Sequence, residues 1–419
     1  MSDVNPTEID LRTTQMLQEV LRRTHLSAAP DLGVVAAEEA RAVGVEALVL
    51  YVIDYEQRLL IPVPAPDAGD REPLPVSRTV AGRSFATTSI IDVEADQGRS
   101  RRLWVPLLDG TERTGVMELV FGGRQEAVSE AIVGPCERLA HLVAAMIVTK
   151  GAYSDFFELL RRRAPMTTAS ELLWEMVPPL LVAGDDFVLA ALLEPCYDVG
   201  GDAYDYAINE GVLHFAIFDG MGHGLAAAGV TAFALSVYRN CRRRAKGPAE
   251  SYSEIDAALL EQYPDRVRFV TALIAELELA SGRLRWISAG HPAPLLLRDG
   301  RLNMTLDVAP APPLGMRLAV TPPAEGQESL EPGDMVMLYT DGLTEARTPE
   351  GELFTVERLG QFIERQAASG LAAPEMLRRL REAIIERREG TLRDDATALL
   401  VEWGRGSERR ILPETVWRG

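Results

Sequence analysis

Paired cysteines are missing from this chain. Its 419 residues include three cysteines, Cys136, Cys196 and Cys241, at no paired spacing. That excludes a disulfide framework and fits a reducing, cytoplasmic compartment. No Cys-x5-Arg loop occurs, which argues against a cysteine-nucleophile phosphatase. No uninterrupted run of about 18 apolar residues is present, so no membrane span is expected. The opening stretch MSDVNPTEIDLRTTQ lacks an apolar core, so no secretory signal is expected either. Positive charge is also in deficit: 62 acidic residues stand against 43 basic ones, a net charge of −19. That argues against a dedicated nucleic-acid binder. The basic clusters at 161–163 and 242–246 are short and read as solvated helix faces.

What remains is globular, with 47% apolar and 25% charged residues. The length suits two or three domains. Residues 8–43 read as helical, with Leu11, Met16, Leu17, Val20 and Leu21 on a helical period. A strand is expected at 47–54 and a proline-rich loop at 61–76. Residues 102–109, a turn at Gly110 and residues 114–123 read as a hairpin. Helix is expected almost continuously from 129 to 177, stopping at Pro178-Pro179. From 187 onward strands dominate, with helices at about 224–245, 251–262, 356–368 and 374–389. Strands joined by turns with a few long helices suggest α+β: two antiparallel sheets with helices outside.

Several of those strands end in acid. LHFAIFDG ends at Asp219-Gly220 and MVMLYTDG at Asp341-Gly342. VGGD places Asp202 before the first run, and RDDATALLVEW places Asp394 and Asp395 before the last. Any one Asp-Gly pair is ordinary turn chemistry. Converging carboxylates are different, because two unit charges about 4 Å apart at an effective dielectric of about 20 interact by about 4 kcal/mol. Such a set needs cations, and oxygen-only ligands favour hard ones such as Mg²⁺ or Mn²⁺. This pattern reads as a two-metal hydrolase.

The run from Ala190 to Trp403 resembles the SpoIIE-type branch of the metal-dependent protein phosphatases (PPM), bacterial relatives of protein phosphatase 2C. The carrying motifs are DVGGDAYDY (198–206), FDGMGHGLAAAG (218–229), FVTALIAELE (269–278), ISAGHPAPLLL (287–297), PLGM (313–316), EPGDMVMLYTDGLTEAR (331–347) and RDDATALLV (393–401). The resemblance implies two ions, Mn²⁺ or Mg²⁺. Asp219 would be the bridging ligand that holds the nucleophilic water, with the Gly220 carbonyl on one ion. Asp341 and Asp394 would hold the other. Asp202 would contribute directly or through a water, while Gly200 and Gly201 let the backbone pass close. Asp395 is expected as a supporting group that caps the turn. In eukaryotic relatives a candidate acid sits two residues after the bridging aspartate; here that residue is Met221. His223 is therefore expected to serve the turn's structure, and His291 likewise. Asp205 and Glu345 are expected as supporting or switch-coupling groups.

The earlier half, over 15–150, resembles a GAF sensor domain, carried by the hairpin WVPLLDGTERTGVMELVFGG; a PAS-like fold is the alternative. No Asn-Lys pair of cyclic-nucleotide-binding GAF domains occurs, so the small-molecule or protein signal stays open. Residues 1–14 are expected as a tail, 151–184 as a helical linker and switch, 185–405 as the phosphatase domain, and 406–419 as a polar tail. In the switch, Leu172, Leu173 and Met176 would pack on the catalytic core in one arrangement and leave it in another. The apolar stripe from Leu139 to Leu160 suggests a dimerising helix, hence a homodimer, with a helix packed on its own domain as the alternative. By resemblance the substrate would be a phosphorylated STAS-domain anti-sigma-factor antagonist. The competing readings are a pseudophosphatase scaffold and a kinase-type anti-sigma regulator. The latter is opposed by the absence of Asn-rich and Gly-rich ATP-lid boxes.

Overall fold

Alternation along a single strand organises the first part of the molecule. In β1 (Ala47–Ile53), Leu48, Leu50 and Val52 face one core while Val49, Tyr51 and Ile53 face another. Period-2 patterning with both faces apolar demands cover on both sides. The computed structural model describes residues 6–65, 71–123, 127–264, 268–316, 323–346, 354–385, 394–404 and 406–412. Residue contacts divide the chain into two units, the first holding 1–163 and 411–419, the second 164–410.

In the first unit, α1 (Pro6–Thr24) and α2 (Leu32–Ala40) precede β1. There follow β2 (Leu59–Pro62), β3 (Leu74–Pro75), α3 (Val80–Thr87), β4 (Ile91–Ala95), β5 (Ser100–Asp109), β6 (Glu112–Gly122), α4 (Glu130–Gly151) and α5 (Phe156–Arg161). The strands form one antiparallel sheet in the order β3-β2-β1-β6-β5-β4. α1, α2 and α4 cover one face, and α3 with Phe85 covers the other. The expected hairpin is present, with Asp109 opposite Glu112 across the turn. α1 begins at Pro6, so the stretch read as an N-terminal tail is largely helix.

The long helix does not run unbroken from 129 to 177. α4 stops at Gly151, and two shorter helices follow. Its stripe is also core and not a free face: Leu139, Val143 and Ile147 are buried between α1, α2 and the sheet. Only the outermost positions, such as Val148 and Leu159, are exposed. α4 is long and apolar enough by length and composition to cross a bilayer, although it contains Glu137, Arg138 and Lys150. Half of that stretch is buried within the structure.

The second unit begins with α6 (Thr168–Met176), β7 (Leu181–Gly184), β8 (Phe187–Glu194), β9 (Asp202–Asn209) and β10 (Val212–Gly220). α7 (Leu225–Arg243), α8 (Pro248–Gln262), β11 (Val270–Glu278), β12 (Arg283–Ala289), β13 (Leu295–Arg298) and β14 (Arg301–Thr305) come next. β15 (Gly326–Ser329), β16 (Met335–Tyr339), α9 (Asp341–Glu345), α10 (Val356–Ala368), α11 (Ala373–Ile385) and β17 (Ala396–Trp403) complete it. One antiparallel sheet has the order β15-β12-β11-β10-β9, the other β14-β13-β16-β17-β8-β7. Their facing residues, among them Leu213, Phe215, Ile217, Leu189, Leu338 and Leu399, share one core. Helices lie outside, which is the α+β sandwich expected. α6 ends at Met176 with Val177 already extended, as the following prolines require.

Two surface readings change. Arg242 is buried and paired with Asp205, so the second basic cluster is not wholly solvated. Ile411, in the stretch read as a polar tail, is buried, while 413–419 lie outside the described residues. The three cysteines are free and buried.

Candidate active site

Both sheets of the second unit end at the same place. β9 starts with Asp202, which pairs across the ladder with Asp219 near the end of β10; Asp219 in turn pairs with Thr271 on β11. From the other sheet, β16 delivers Thr340 and Asp341, and β17 is preceded by Asp394 and Asp395. The Thr340 amide donates to the Thr397 carbonyl at 3.0 Å. Strand ends supply carboxylates here because buried ladders hold the backbone rigid up to the last residue. The acids can then sit in water's reach at fixed positions.

Asp202 is 2% exposed. Its Oδ2 accepts from the hydroxyls of Thr340 at 2.8 Å and Thr397 at 2.6 Å. Asp395 faces the Gly-Gly-Asp turn, and its Oδ2 accepts three backbone amides: Gly200 at 2.8 Å, Gly201 at 2.6 Å and Asp202 at 3.1 Å. It therefore caps that turn. The glycines are steric requirements. A Cβ on Gly201 would lie 2.6 Å from the Gly220 carbonyl oxygen, and one on Gly200 would lie 2.6 Å from the Gly224 amide. A Cβ on Gly342 would meet the Asp395 carbonyl. Asp341 and Asp394 are exposed at the rim, and Asp219 is half-buried.

The electrostatics follow from this crowding. Burial, then the charges of Asp341, Asp394 and Asp395, push Asp219 up to about 7. Burial, then Asp395 and Asp219, hold Asp202 well above the usual carboxylate range against its two threonine hydrogen bonds. Asp341, exposed as a residue but with its carboxyl partly shielded, is raised by that shielding and then by Asp394. Among the described residues, no three His, Cys, Asp or Glu side chains stand close enough as placed to hold a metal ion. The donor chemistry nevertheless fits a hard dication: the donors are all oxygen, the carboxylates raise one another's proton affinity, and the glycine turn brings a carbonyl beside them.

The histidines separate. His223 is exposed, and its backbone packs on Gly200 between Gly222 and Gly224, both at positive φ. His291 is buried, and its Nδ1 lies 2.9 Å from the Thr271 hydroxyl, which is 3.4 Å from Asp219 Oδ2. Among the described residues its Nε2 has no hydrogen-bond partner. Burial lowers its pKa to about 3. Sequence reading missed the threonines. Thr231 donates to the Gly201 carbonyl at 2.6 Å, and Thr271, Thr340 and Thr397 all reach ligand-candidate carboxylates. The available signal was adjacency: Thr340 precedes Asp341, and Thr397 stands two residues after Asp395, at the start of β17.

The expected switch residues pack on this unit. Leu173 is fully buried in its core, with Leu172 and Met176 against it. Around them, Trp174 Nε1 donates to the Cys196 carbonyl at 2.8 Å, while Tyr204 and Tyr206 donate to the Pro178 and Pro179 carbonyls at 2.7 and 2.8 Å. Arg239 bonds both the Met176 carbonyl and Asp205. Asp205 is held by Arg239 and Arg242 at 2.9 and 2.7 Å, away from the acidic mouth. Glu345 is exposed on α9.

Residues 209–404 match the family model of Stage II sporulation protein E (SpoIIE), so the second unit carries a SpoIIE-type domain. That match starts inside the β9–β10 hairpin, after the Gly-Gly-Asp turn. The chain is 24% identical over 216 residues to phosphoserine phosphatase RsbU of Bacillus subtilis, covering 51% of this chain and 62% of RsbU. It is 28% identical over 166 residues to phosphoserine phosphatase RsbP of the same organism, covering 39% of this chain and 41% of RsbP. The chain thus spans less than two thirds of either relative. Among solved structures, the RsbU and RsbW domains of Rv1364c from Mycobacterium tuberculosis align at 25% identity and TM-score 0.45, covering 55% of this chain and 64% of that one.

Proposed function

We propose that the protein is a metal-dependent phosphoserine/phosphothreonine protein phosphatase. The observation that carries this reading is the gathering of Asp202, Asp219, Asp341 and Asp394 at one mouth with no cationic side chain bonded to them among the described residues, while Asp205 on the same strand as Asp202 takes two arginines. Asp219 with the Gly220 carbonyl would hold one ion, Asp341 and Asp394 the other, and Asp202 would stand behind them. Two such ions, Mn²⁺ or Mg²⁺, lower the pKa of a water and neutralise phosphoryl charge when bound. The chain's own part is positional. Thr340 and Thr397 fix Asp202, Asp395 fixes the Gly-Gly-Asp turn, and Thr271 with His291 orients Asp219. His223, exposed at the rim, serves the turn and is not assigned a proton-transfer role.

The substrate we favour is a phosphorylated STAS-domain partner protein in a sigma-factor pathway of the cytoplasm, by analogy with the RsbU-like relatives. The first unit, GAF-like in its helix-covered sheet, would be the sensor, and the full chain a homodimer through exposed apolar positions of its helices. α6, with Leu172, Leu173 and Met176, would be the switch. Its following prolines are bonded to Tyr204 and Tyr206 on β9, the strand that begins at Asp202. The test is hydrolysis of p-nitrophenyl phosphate and of a phosphorylated STAS protein by the full chain, with Mn²⁺, with Mg²⁺ and with chelator. Cation-dependent turnover of the phosphoprotein supports the reading. Partner binding without turnover under every condition favours the scaffold.

A further inference from the structure

The α3 face of the first unit contains a cavity of about 580 Å³. Its floor is aromatic, with Tyr51 and Trp104 at 5.9 Å between ring centroids. Glu118 stands in the middle of the sheet there, between Val49 and Trp104 on the neighbouring strands, and is 0% exposed. One of its oxygens, Oε2, accepts from Tyr51 at 3.3 Å and from Arg71 at 3.1 Å. The other, Oε1, has no hydrogen-bond donor among the described residues. Its nearest cation is Arg102 Nη1 at 3.4 Å, outside hydrogen-bond geometry. Arg102 Nε is likewise buried and without an acceptor among them.

A buried acceptor and a buried donor, each on a charged group, are thus orphaned side by side above an apolar floor. Leaving a buried charged group short of a partner costs more than leaving a neutral one. A ligand that resolves all of this carries a cationic N–H for Glu118, an anionic oxygen for Arg102, and an apolar body for Tyr51 and Trp104. We propose that this cavity binds a small zwitterion of the α-amino-acid class with an apolar side chain, its ammonium on Glu118 and its carboxylate on Arg102. The volume lies within the range of ordinary small-molecule sites. Charge-assisted hydrogen bonds at both ends would fix its orientation.

The test is calorimetric titration of the full chain with L-leucine and L-phenylalanine. Phenethylamine supplies the ammonium alone, hydrocinnamate the carboxylate alone, and uracil an uncharged donor–acceptor pair. Saturable binding of an apolar amino acid is expected, at least about tenfold tighter than any of the three partial ligands. Glu118→Gln should weaken it at least about tenfold, and so should Arg102→Gln, which sits at the half-open edge and keeps the test valid if Glu118→Gln misfolds. Absence of saturable binding up to about 10 mM overturns the proposal and leaves water as the occupant. So does equal binding of the amine, the acid or uracil, or unchanged affinity in correctly folded Arg102→Gln. Heat of binding is read without phosphatase turnover, so this outcome and that of the proposed activity are separate.

Discussion

Glu118 in the first unit and Asp202 in the second are both carboxylates shut away from water, at 0% and 2% exposed. Their surroundings are opposite. Glu118 is met by two guanidiniums and a tyrosine hydroxyl, Asp202 by two threonine hydroxyls and further carboxylates. Asp205, three residues along the same strand from Asp202, belongs with Glu118: it is closed by Arg239 and Arg242. Burial alone therefore says little about what an acid does. A carboxylate matched inside the chain is structural or offers its spare oxygen to a small ligand. A carboxylate matched only by hydroxyls and by its own kind calls for a cation from outside.

The contrast can be broken most severely at Asp219. Asp219→Ala should lower Mn²⁺-supported phosphatase turnover by about a thousandfold, several kcal/mol of charge stabilisation, with the fold retained. Steady-state kinetics and circular dichroism read the two effects separately, and activity within about tenfold of wild type defeats the two-metal reading. Asp205→Ala tests the other kind of acid. It strands Arg242, which is buried, and should cost about 3 kcal/mol of stability in urea unfolding, since breaking a buried pair leaves an uncompensated charge. A loss below about 1 kcal/mol would place Asp205 with ordinary surface pairs.

Proton linkage sharpens the same comparison on a smaller scale. Asp219 keeps its proton up to about 7 in the folded chain, whereas an ordinary carboxyl releases it near about 4. Between those values the folded state binds the extra proton, so this group makes chelated protein less stable as pH rises, with the full deficit above about 7. Asp219→Asn should therefore be more stable than wild type by about 1–2 kcal/mol at pH 8 in chelator, and not at pH 4. Added Mn²⁺ should stabilise wild type and not the variant. A variant equally or less stable at pH 8 would show that the acidic mouth is not strained by its own charge. The smallest effect is expected from Tyr204→Phe with Tyr206→Phe, which frees the Pro178 and Pro179 carbonyls at about 1 kcal/mol each or less. A change in Mn²⁺ requirement larger than that stability loss would support α6 as the switch. An unchanged requirement would leave it a plain packing helix.

Much of the second unit was legible in the chain. Helices at 225–243, 248–262 and 356–368 fall close to the expected spans, because the 3.6-residue period of their apolar residues is strong and glycine or proline marks their ends. The acidic turns were legible for a similar reason: Asp-Gly and Asp-Asp stand at the ends of apolar runs, and a strand end is where a core meets water. In the first unit, α3 and β4 went unread, being short and weakly patterned. The apolar stripe of α4 was readable, but not what covers it. Period alone cannot tell a helix packed on its own sheet from one awaiting a partner.

The sequence by itself thus determined the element types of the second unit, the two-sheet architecture and the acidic strand ends, since periodicity and turn chemistry are local properties. Only the tertiary structure decided which carboxylate meets which counter-charge. Asp395 reaches Gly200–Asp202 from about two hundred residues away along the chain. Asp205 finds arginines on a helix packed over its strand, and Glu118 is left with a spare oxygen beside Arg102. Those partners come from strands and helices far apart in the sequence. Charge matching is a matter of ångström distances that no spacing along the chain encodes.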